Sequence, residues 1–351
     1  MEMKDYEMNR EVQTMHNSRD YINRLAKNIK PAMAYESGMS VEEWQKEARG
    51  KLEELLGLPL VTCPADFRIT KETVCDDYTR YDFTYQSEPG YYMPCALLVP
   101  SNAQGPLPVA VCLQGHSTGM HISLGETKFP GDQETINGGR DFAVRAVKEG
   151  FCAIAMEQRY MGQCGPTESG APGCMGHTEN ASMGALLLGR TAIGERVWDV
   201  QRLIDVIESE LTDYIDAGKI ILMGNSGGGT VTFYASCMDE RIALSMPSCA
   251  VCTYDDSIMA MNHCPCNFIP NIRKYFNMGD VGVLIAPRPF VLVCGETDPI
   301  FPLQGVKESF EIIESAYESL GKSELCRLVI GNGGHQFYPD DAWPVAKELL
   351  K

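Results

Sequence analysis

Residues 219–236, KIILMGNSGGGTVTFYAS, decide how the chain is read. Ile220, Ile221, Leu222 and Met223 make a short apolar run of strand type. A turn of small residues follows, and the segment after it has the texture of a helix. Gly224, Asn225, Ser226, Gly227 and Gly228 meet the pattern G-x-S-x-G with no linker on either side. A strand-to-helix turn this tight forces its central residue into strained φ/ψ and needs tiny neighbours two places away on each side. It also aims a helix N-terminus, with its free N–H groups and positive dipole end, at any anion forming beside Ser226. A phosphate loop would need G-x-x-x-x-G-K-[ST], and no lysine follows the glycines; G-x-G-x-x-G is not met either. Ser226 is therefore expected to be a nucleophile.

Working outward, similar apolar runs recur: PVAVCL at 108–113, FCAIAM at 151–156, IALSMP at 242–247, PFVLVC at 289–294 and LCRLVI at 325–330. Helix-like segments lie between them, near 139–149, 183–209, 228–238, 303–320 and 341–350. The longest carries Val197, Val200, Leu203, Ile204 and Ile207 on one face. Unalternated strands separated by helices predict an α/β fold: a mostly parallel twisted sheet with helices on both faces. Residues 66–100 differ. Their β-branched and aromatic residues alternate around Glu88-Pro89-Gly90, as in an antiparallel hairpin. Residues 1–65 read as a helical N-terminal extension packed on the main domain, 66–351. Within it Ser40 is the expected N-cap of a helix, with Glu43 three residues on. Residues 251–285 interrupt the alternation and read as a small insertion over the carboxyl edge of the sheet.

The 351 residues carry a formal net charge of −17, which argues against nucleic acid and against anionic membranes as partners. The N-terminal twenty residues lack the apolar core of a secretory signal, and no run is long enough to span a bilayer. The 14 cysteines fall largely in apolar runs, as Cys112, Cys152 and Cys294 do. Reduced core thiols and a cytoplasmic location are the expectation; a homo-oligomer stays open.

A serine nucleophile needs a base, and the base an orienting acid. Of His16, His116, His121, His177, His263 and His335, only the last two follow Ser226, the order that hydrolases built on such a turn require. His263 sits in the insertion. His335 sits in VIGNGGHQFY, a glycine loop straight after the last strand, and is the expected base. The acid should follow the strand before. PFVLVCGETDPIFP offers Glu296 and Asp298, and Asp298, at the turn before Pro299, is favoured; Asp340 and Asp341 read as helix-capping residues. Two N–H donors should form an oxyanion hole. One is Gly227. The other comes from CLQGHSTG, where Gly115 permits close approach and His116 supplies the N–H.

With these residues in place, the chain resembles the α/β-hydrolases, and within them the bacterial dienelactone-hydrolase-related and acetyl xylan esterase branch. The resemblance rests on LQGHSTG, LLLGRTAIGERVWDVQRLIDVI, GNSGGG, MNHCPCNFIP, APRPFVLVCGETDPIFP and GGHQFY, over about residues 108–345. It implies hydrolysis of a carboxylic ester of a small molecule or oligosaccharide, without metal or organic cofactor. Short-chain, in particular acetyl, esters on carbohydrates such as xylo-oligosaccharides are the implied substrates. Dienelactone hydrolases carry cysteine where this chain has Ser226, and glucuronoyl esterases place arginine where it has Gly227. A prolyl-oligopeptidase-like peptidase would share the same residues but brings propeller repeats that are missing here. A non-catalytic hydrolase-like binding protein would lack one member of the set, and none is missing.

Further residues are candidates for the pocket wall: Gly115, Glu157, Arg159, Arg190, Met261, His263 and Phe301. For Arg190, Glu195 and Asp199 the favoured reading is a buried ionic network that ties their helix to the strand end at Glu157 and Arg159. His263, Cys264 and Cys266, with Cys249 and Cys252 upstream, are zinc-ligand residue types. Their C-x-C spacing is not that of a zinc site, so no metal is expected.

Overall fold

The computed structural model describes residues 17–165 and 175–351, the side chains of 175–179 excepted. Residues 1–16, with His16, and the side chain of His177 lie outside that range. Nine strands form one sheet: β1 (Arg68–Val74), β2 (Tyr78–Glu88), β3 (Tyr91–Pro100), β4 (Leu107–Leu113), β5 (Cys152–Met156), β6 (Ile215–Asn225), β7 (Ile242–Ser248), β8 (Phe290–Gly295) and β9 (Cys326–Gly331). Their order across the sheet is β1-β2-β3-β5-β4-β6-β7-β8-β9. From β5 onward all pairings are parallel; β1, β2, β3 and the β3–β5 seam are antiparallel. The turn at Glu88-Pro89-Gly90 joins β2 to β3, as the alternation predicts. The sequence reading stopped at a hairpin; β1, whose residues are largely exposed, adds a third strand at the edge. With little to bury, it carries little apolar signal.

Side-chain alternation divides the core into two layers. Along β4, Val109, Val111 and Leu113 join one cluster, while Ala110 and Cys112 join the other. Helices α2 (Val41–Leu56), α5 (Ala192–Glu210), α6 (Gly227–Met238) and α7 (Leu303–Ser319) bury their apolar stripes on the first face. Helices α3 (Phe142–Lys148) and α8 (Pro339–Leu349) cover the second, with Phe142, Ala146, Trp343 and Ala346 fully buried. Each buried Leu, Ile, Val or Phe contributes about 1.5–3 kcal/mol. Every described cysteine is free, and most are buried.

The N-terminal helices α1 (Ser18–Asn28) and α2 pack onto this body. Ser40 caps α2 by accepting the Glu43 N–H at 3.3 Å, and Gly57 ends it in the left-handed conformation, φ 75°. Ala48 and Leu52 are wholly buried in the same core as the sheet. The helical segment expected at 183–209 is two helices. A helix α4 (Met175–Leu187) stops before Gly189, φ 73°, and Thr191 caps α5 by accepting the Gly194 N–H at 2.9 Å. The break turns Arg190 back towards β2. Residues 251–285 lie between β7 and β8 and hold only short helical turns, among them Ile272–Tyr275 and Met278–Gly282.

Candidate active site

Ser226 stands between β6 and α6 at φ 56°, ψ −125°. Such a conformation costs a non-glycine residue about 1–3 kcal/mol and persists only where the surroundings enforce it. They do. A side chain on Gly228 would lie 2.1 Å from the Leu113 carbonyl oxygen, and one on Gly224 2.6 Å from the same atom. Gly229, in the same run, is equally closed, 2.5 Å from the Ser248 carbonyl oxygen. The Ser226 N–H donates to the Ser248 oxygen at 2.9 Å, which anchors the turn to the neighbouring strand.

The loop after β4 lies against this turn. A side chain on Gly115 would meet Ser226 Cβ at 2.9 Å, so only glycine lets that backbone approach. The ring of His116 lies against Gly227, its Nδ1 3.2 Å from where a Cβ would stand. Among the described residues the backbone N–H groups of Gly227 and His116 have no acceptor. The first belongs to the opening turn of a helix, where N–H groups lack intrahelical partners.

Asp298 follows β8 and is buried. Its Oδ2 bonds to His335 Nδ1 at 2.8 Å, while Oδ1 accepts the N–H groups of Ile300 (2.8 Å) and Phe301 (3.2 Å). Burial pushes the Asp298 carboxyl up, but His335 and the two N–H groups outweigh it and hold it below the usual range. Glu296, the alternative acid, bonds through its N–H to the Gly331 oxygen, and Thr297 bonds to Gly333. These bonds stitch the histidine loop to the end of β8. A side chain on Gly295 would meet the Gly334 oxygen at 2.1 Å, which is why that strand ends in glycine. The His335 ring stacks on buried Phe301, centroids 5.9 Å apart and planes 15° apart, and His263 packs edge-to-face with Phe301 at 6.0 Å. Burial pushes the His263 imidazole down. Met261 is only half-buried and lies outside the core clusters.

The charged candidates separate into two groups. Arg159 holds Asp199 through two bonds of 2.8 Å and Glu88 through a third of 2.7 Å, beneath the ring of Tyr91. Arg190 also grips Glu88, at 2.6 Å, and Glu195, at 2.5 Å. The Tyr160 hydroxyl donates to Glu195. Arg159, Arg190, Glu195 and Asp199 thus form the expected network. Glu157 does not join it. Its buried carboxyl accepts the N–H groups of Met120 (3.2 Å) and Gln163 (3.1 Å), which ties the loop after β4 to the loop after β5. Burial outweighs these bonds and pushes Glu157 up to about 7. It is a clamp between two loops rather than a pocket wall.

Two contacts escaped the sequence reading. Arg140, in the unremarkable stretch NGGRD, reaches under the serine turn. With the Asn225 amide oriented by its hydrogen bonds, Arg140 Nη2 donates to Asn225 (2.9 Å); it also reaches the His335 carbonyl at 3.5 Å. The second is a hydrogen bond between Cys266 Sγ and His116 Nε2, at 3.2 Å. Neither has a local signal, because each partner lies far away along the chain.

Comparison with known proteins places the fold. The "Putative hydrolase YtaP" of Bacillus subtilis (strain 168) is 26% identical over 153 residues, 43% of this chain and 50% of the relative. The match therefore spans about half the length of that curated relative. A "putative acetyl xylan esterase" from Bacteroides fragilis NCTC 9343 superposes with a TM-score of 0.73 at 19% identity, over 90% of this chain and 82% of its own. A glucuronoyl esterase from Solibacter usitatus gives 0.69 at 17% identity, over 92% and 97%. The acetyl xylan esterase 1 of Thermoanaerobacterium sp. JW/SL YS485 gives 0.56 at 12%, over 93% and 97%. At these identities the likeness is one of fold, the α/β-hydrolase fold. The Abhydrolase family matches over residues 3–324, and with a match of that length the chain belongs to it.

Proposed function

We propose that the protein is a serine esterase that hydrolyses short-chain esters, acetyl esters of small carbohydrates foremost. The observation that carries the reading is the buried Asp298 bonded to His335 at the sheet edge where the strained turn presents Ser226. In this reading Ser226 Oγ attacks the ester carbonyl. His335 accepts its proton through Nε2 and returns it to the leaving alcohol, and Asp298 keeps the proton of His335 on Nδ1. The N–H groups of Gly227 and His116 receive the developing oxyanion; one such donor is worth about 100- to 1,000-fold in rate. Water then releases the acyl group by the same steps in reverse roles. Fold neighbours named as acetyl xylan esterase and glucuronoyl esterase support a carbohydrate ester as substrate.

Ser226→Ala should lower p-nitrophenyl acetate hydrolysis at least about ten-thousandfold while leaving the unfolding transition unchanged. Activity near the wild-type level in that variant sinks the reading. Acetate release from acetylated xylo-oligosaccharides, beside alcohol release from methyl glucuronate esters, tests which side of the ester is recognised.

A further inference from the structure

Among the described residues, two clusters bring three ligand-type atoms within 4.8 Å of one another: Cys249, Asp298 and His335, and His116, Cys264 and Cys266. The first is already committed. Both oxygens of Asp298 are in use, and Cys249 Sγ donates to the Gln336 oxygen at 3.3 Å. The second is different, because its two sulfurs face each other and an imidazole.

Cys112 and Cys237 lie in the two large apolar clusters, one on each face of the sheet. Cys264 and Cys266 belong to a small separate cluster whose apolar members are Ala192 and Tyr160. Their polar surroundings are the His116 ring, the Asn267 amide at 3.6 Å from Cys266 Sγ, and the charge of Arg196. Arg196 itself donates to a neutral acceptor, the Arg159 carbonyl, at 2.9 and 3.1 Å. Two buried thiols and a half-buried imidazole are the donor set that soft d10 cations prefer. In a tetrahedral site with metal–sulfur bonds of about 2.3 Å and metal–nitrogen bonds of about 2.0 Å, neighbouring ligand atoms lie roughly 3.5–3.8 Å apart. The three atoms here all lie within 4.8 Å of one another, and His116 Nε2 and Cys266 Sγ are 3.2 Å apart.

We propose that His116 Nε2, Cys264 Sγ and Cys266 Sγ bind a thiophilic metal ion, Zn2+ or Cu+. Binding replaces the two thiol protons, which leave to solvent, and changes no oxidation state. Two thiolates beside Arg196 leave a single net negative charge, which a monovalent ion neutralises; the half-buried His116 leaves room for the further ligand that Zn2+ wants. His263, next to Cys264 in sequence, is not part of the site: its ring leans on Phe301 and bonds to Asn267 at 3.1 Å. The bound ion would join the insertion to the loop after β4, beside Gly227. The proposal does not rest on the esterase reading.

The test uses the full chain, reduced with a phosphine and kept anaerobic. Zn2+ is titrated against a chromophoric chelator and Cu+ against bicinchoninate, which separates the two ions; Co2+ reports thiolate ligation by its near-ultraviolet charge-transfer band. One tight equivalent of Zn2+ or Cu+ is expected. It should weaken by more than about a hundredfold in Cys266→Ser and in Cys264→Ser, beyond the loss of a merely supporting residue, and persist in Cys249→Ser. Apo forms of all three are checked by thermal unfolding, and His116→Asn, which leaves both thiols in place, serves if a cysteine variant does not fold. Absence of any tight equivalent in the wild type overturns the proposal. So does equal binding in the Cys264, Cys266 and His116 variants, or loss confined to Cys249→Ser.

Discussion

Glu157 carries a buried carboxyl whose hydrogen bonds come from backbone N–H groups rather than from a cation. Side chains are excluded around it as well. On Gly162, φ 47°, a Cβ would lie 2.2 Å from Oε2, and on Gly119, φ 140°, 3.0 Å. The carboxyl is raised from 4.5 to about 7, with burial the leading cause. Between those pH values the folded chain holds a proton that the unfolded chain has released. Its contribution to stability is therefore full below about pH 4.5, falls as the pH rises, and levels off above about 7. The whole interval is worth about 3 kcal/mol, since each tenfold change in proton affinity corresponds to about 1.4 kcal/mol. Glu157→Gln cannot titrate, so the difference in unfolding free energy between wild type and variant isolates this group. Urea melts from pH 4 to 8 should show that difference shrinking with rising pH; a flat difference refutes the assignment. Asp298 has the opposite sign. Its carboxyl is held low, so it contributes stability above its unfolded value and loses it as the pH falls.

At the scale of elements, the join between α2 and α5 shows packing overruling propensity. Gly194 lies in the first turn of α5, where alanine would favour the helix by about 1 kcal/mol. Yet a Cβ there would lie 2.0 Å from the Leu56 carbonyl oxygen, and Thr191 Oγ1 already donates to that oxygen at 2.8 Å. Gly194→Ala is thus expected to destabilise by about 1–3 kcal/mol, the usual cost of overpacking. Chemical denaturation measures it, and a variant more stable than wild type would show that the helices part easily. The two ends of α5 do separate jobs. Its first turns hold Glu195 and Asp199 in the arginine network, and its later turns bury Val200, Leu203, Ile204 and Ile207.

For the whole molecule, the N-terminal helices and the sheet share one core. Val41, Ala48, Leu52 and Leu56 are 0–3% exposed and belong to the same cluster as strands β2 to β9. Gln45 bonds to the Val283 and Ala286 oxygens at 2.7 Å, and Arg49 to the Cys237 oxygen. Such an extension is a layer of the core rather than an appendage. Residues 58–351 expressed alone should be insoluble or lack a cooperative transition, whereas the full chain should unfold in one step by circular dichroism and tryptophan fluorescence together. A folded, cooperative 58–351 fragment would make residues 1–57 a separate domain. No helix among the described residues is long and apolar enough to cross a membrane.

The sequence alone determined the parallel sheet with its antiparallel edge, the serine turn, the chain order of Ser226, Asp298 and His335, and the Ser40 cap. These features rest on periodicity and on turn stereochemistry, which act over a few residues and so leave a local trace. The break at Gly189 was missed because two helices with continuous apolar spacing read as one. Only the tertiary structure decided that Glu157 clamps two loops instead of joining the arginine network, that Arg140 supports the serine turn and the His335 loop, and that His116, not His263, meets Cys266. Those pairs lie 150 residues apart for His116 and Cys266 and 195 for Arg140 and His335. The paths of loops over the sheet edge bring them together, and that path depends on how the whole core packs.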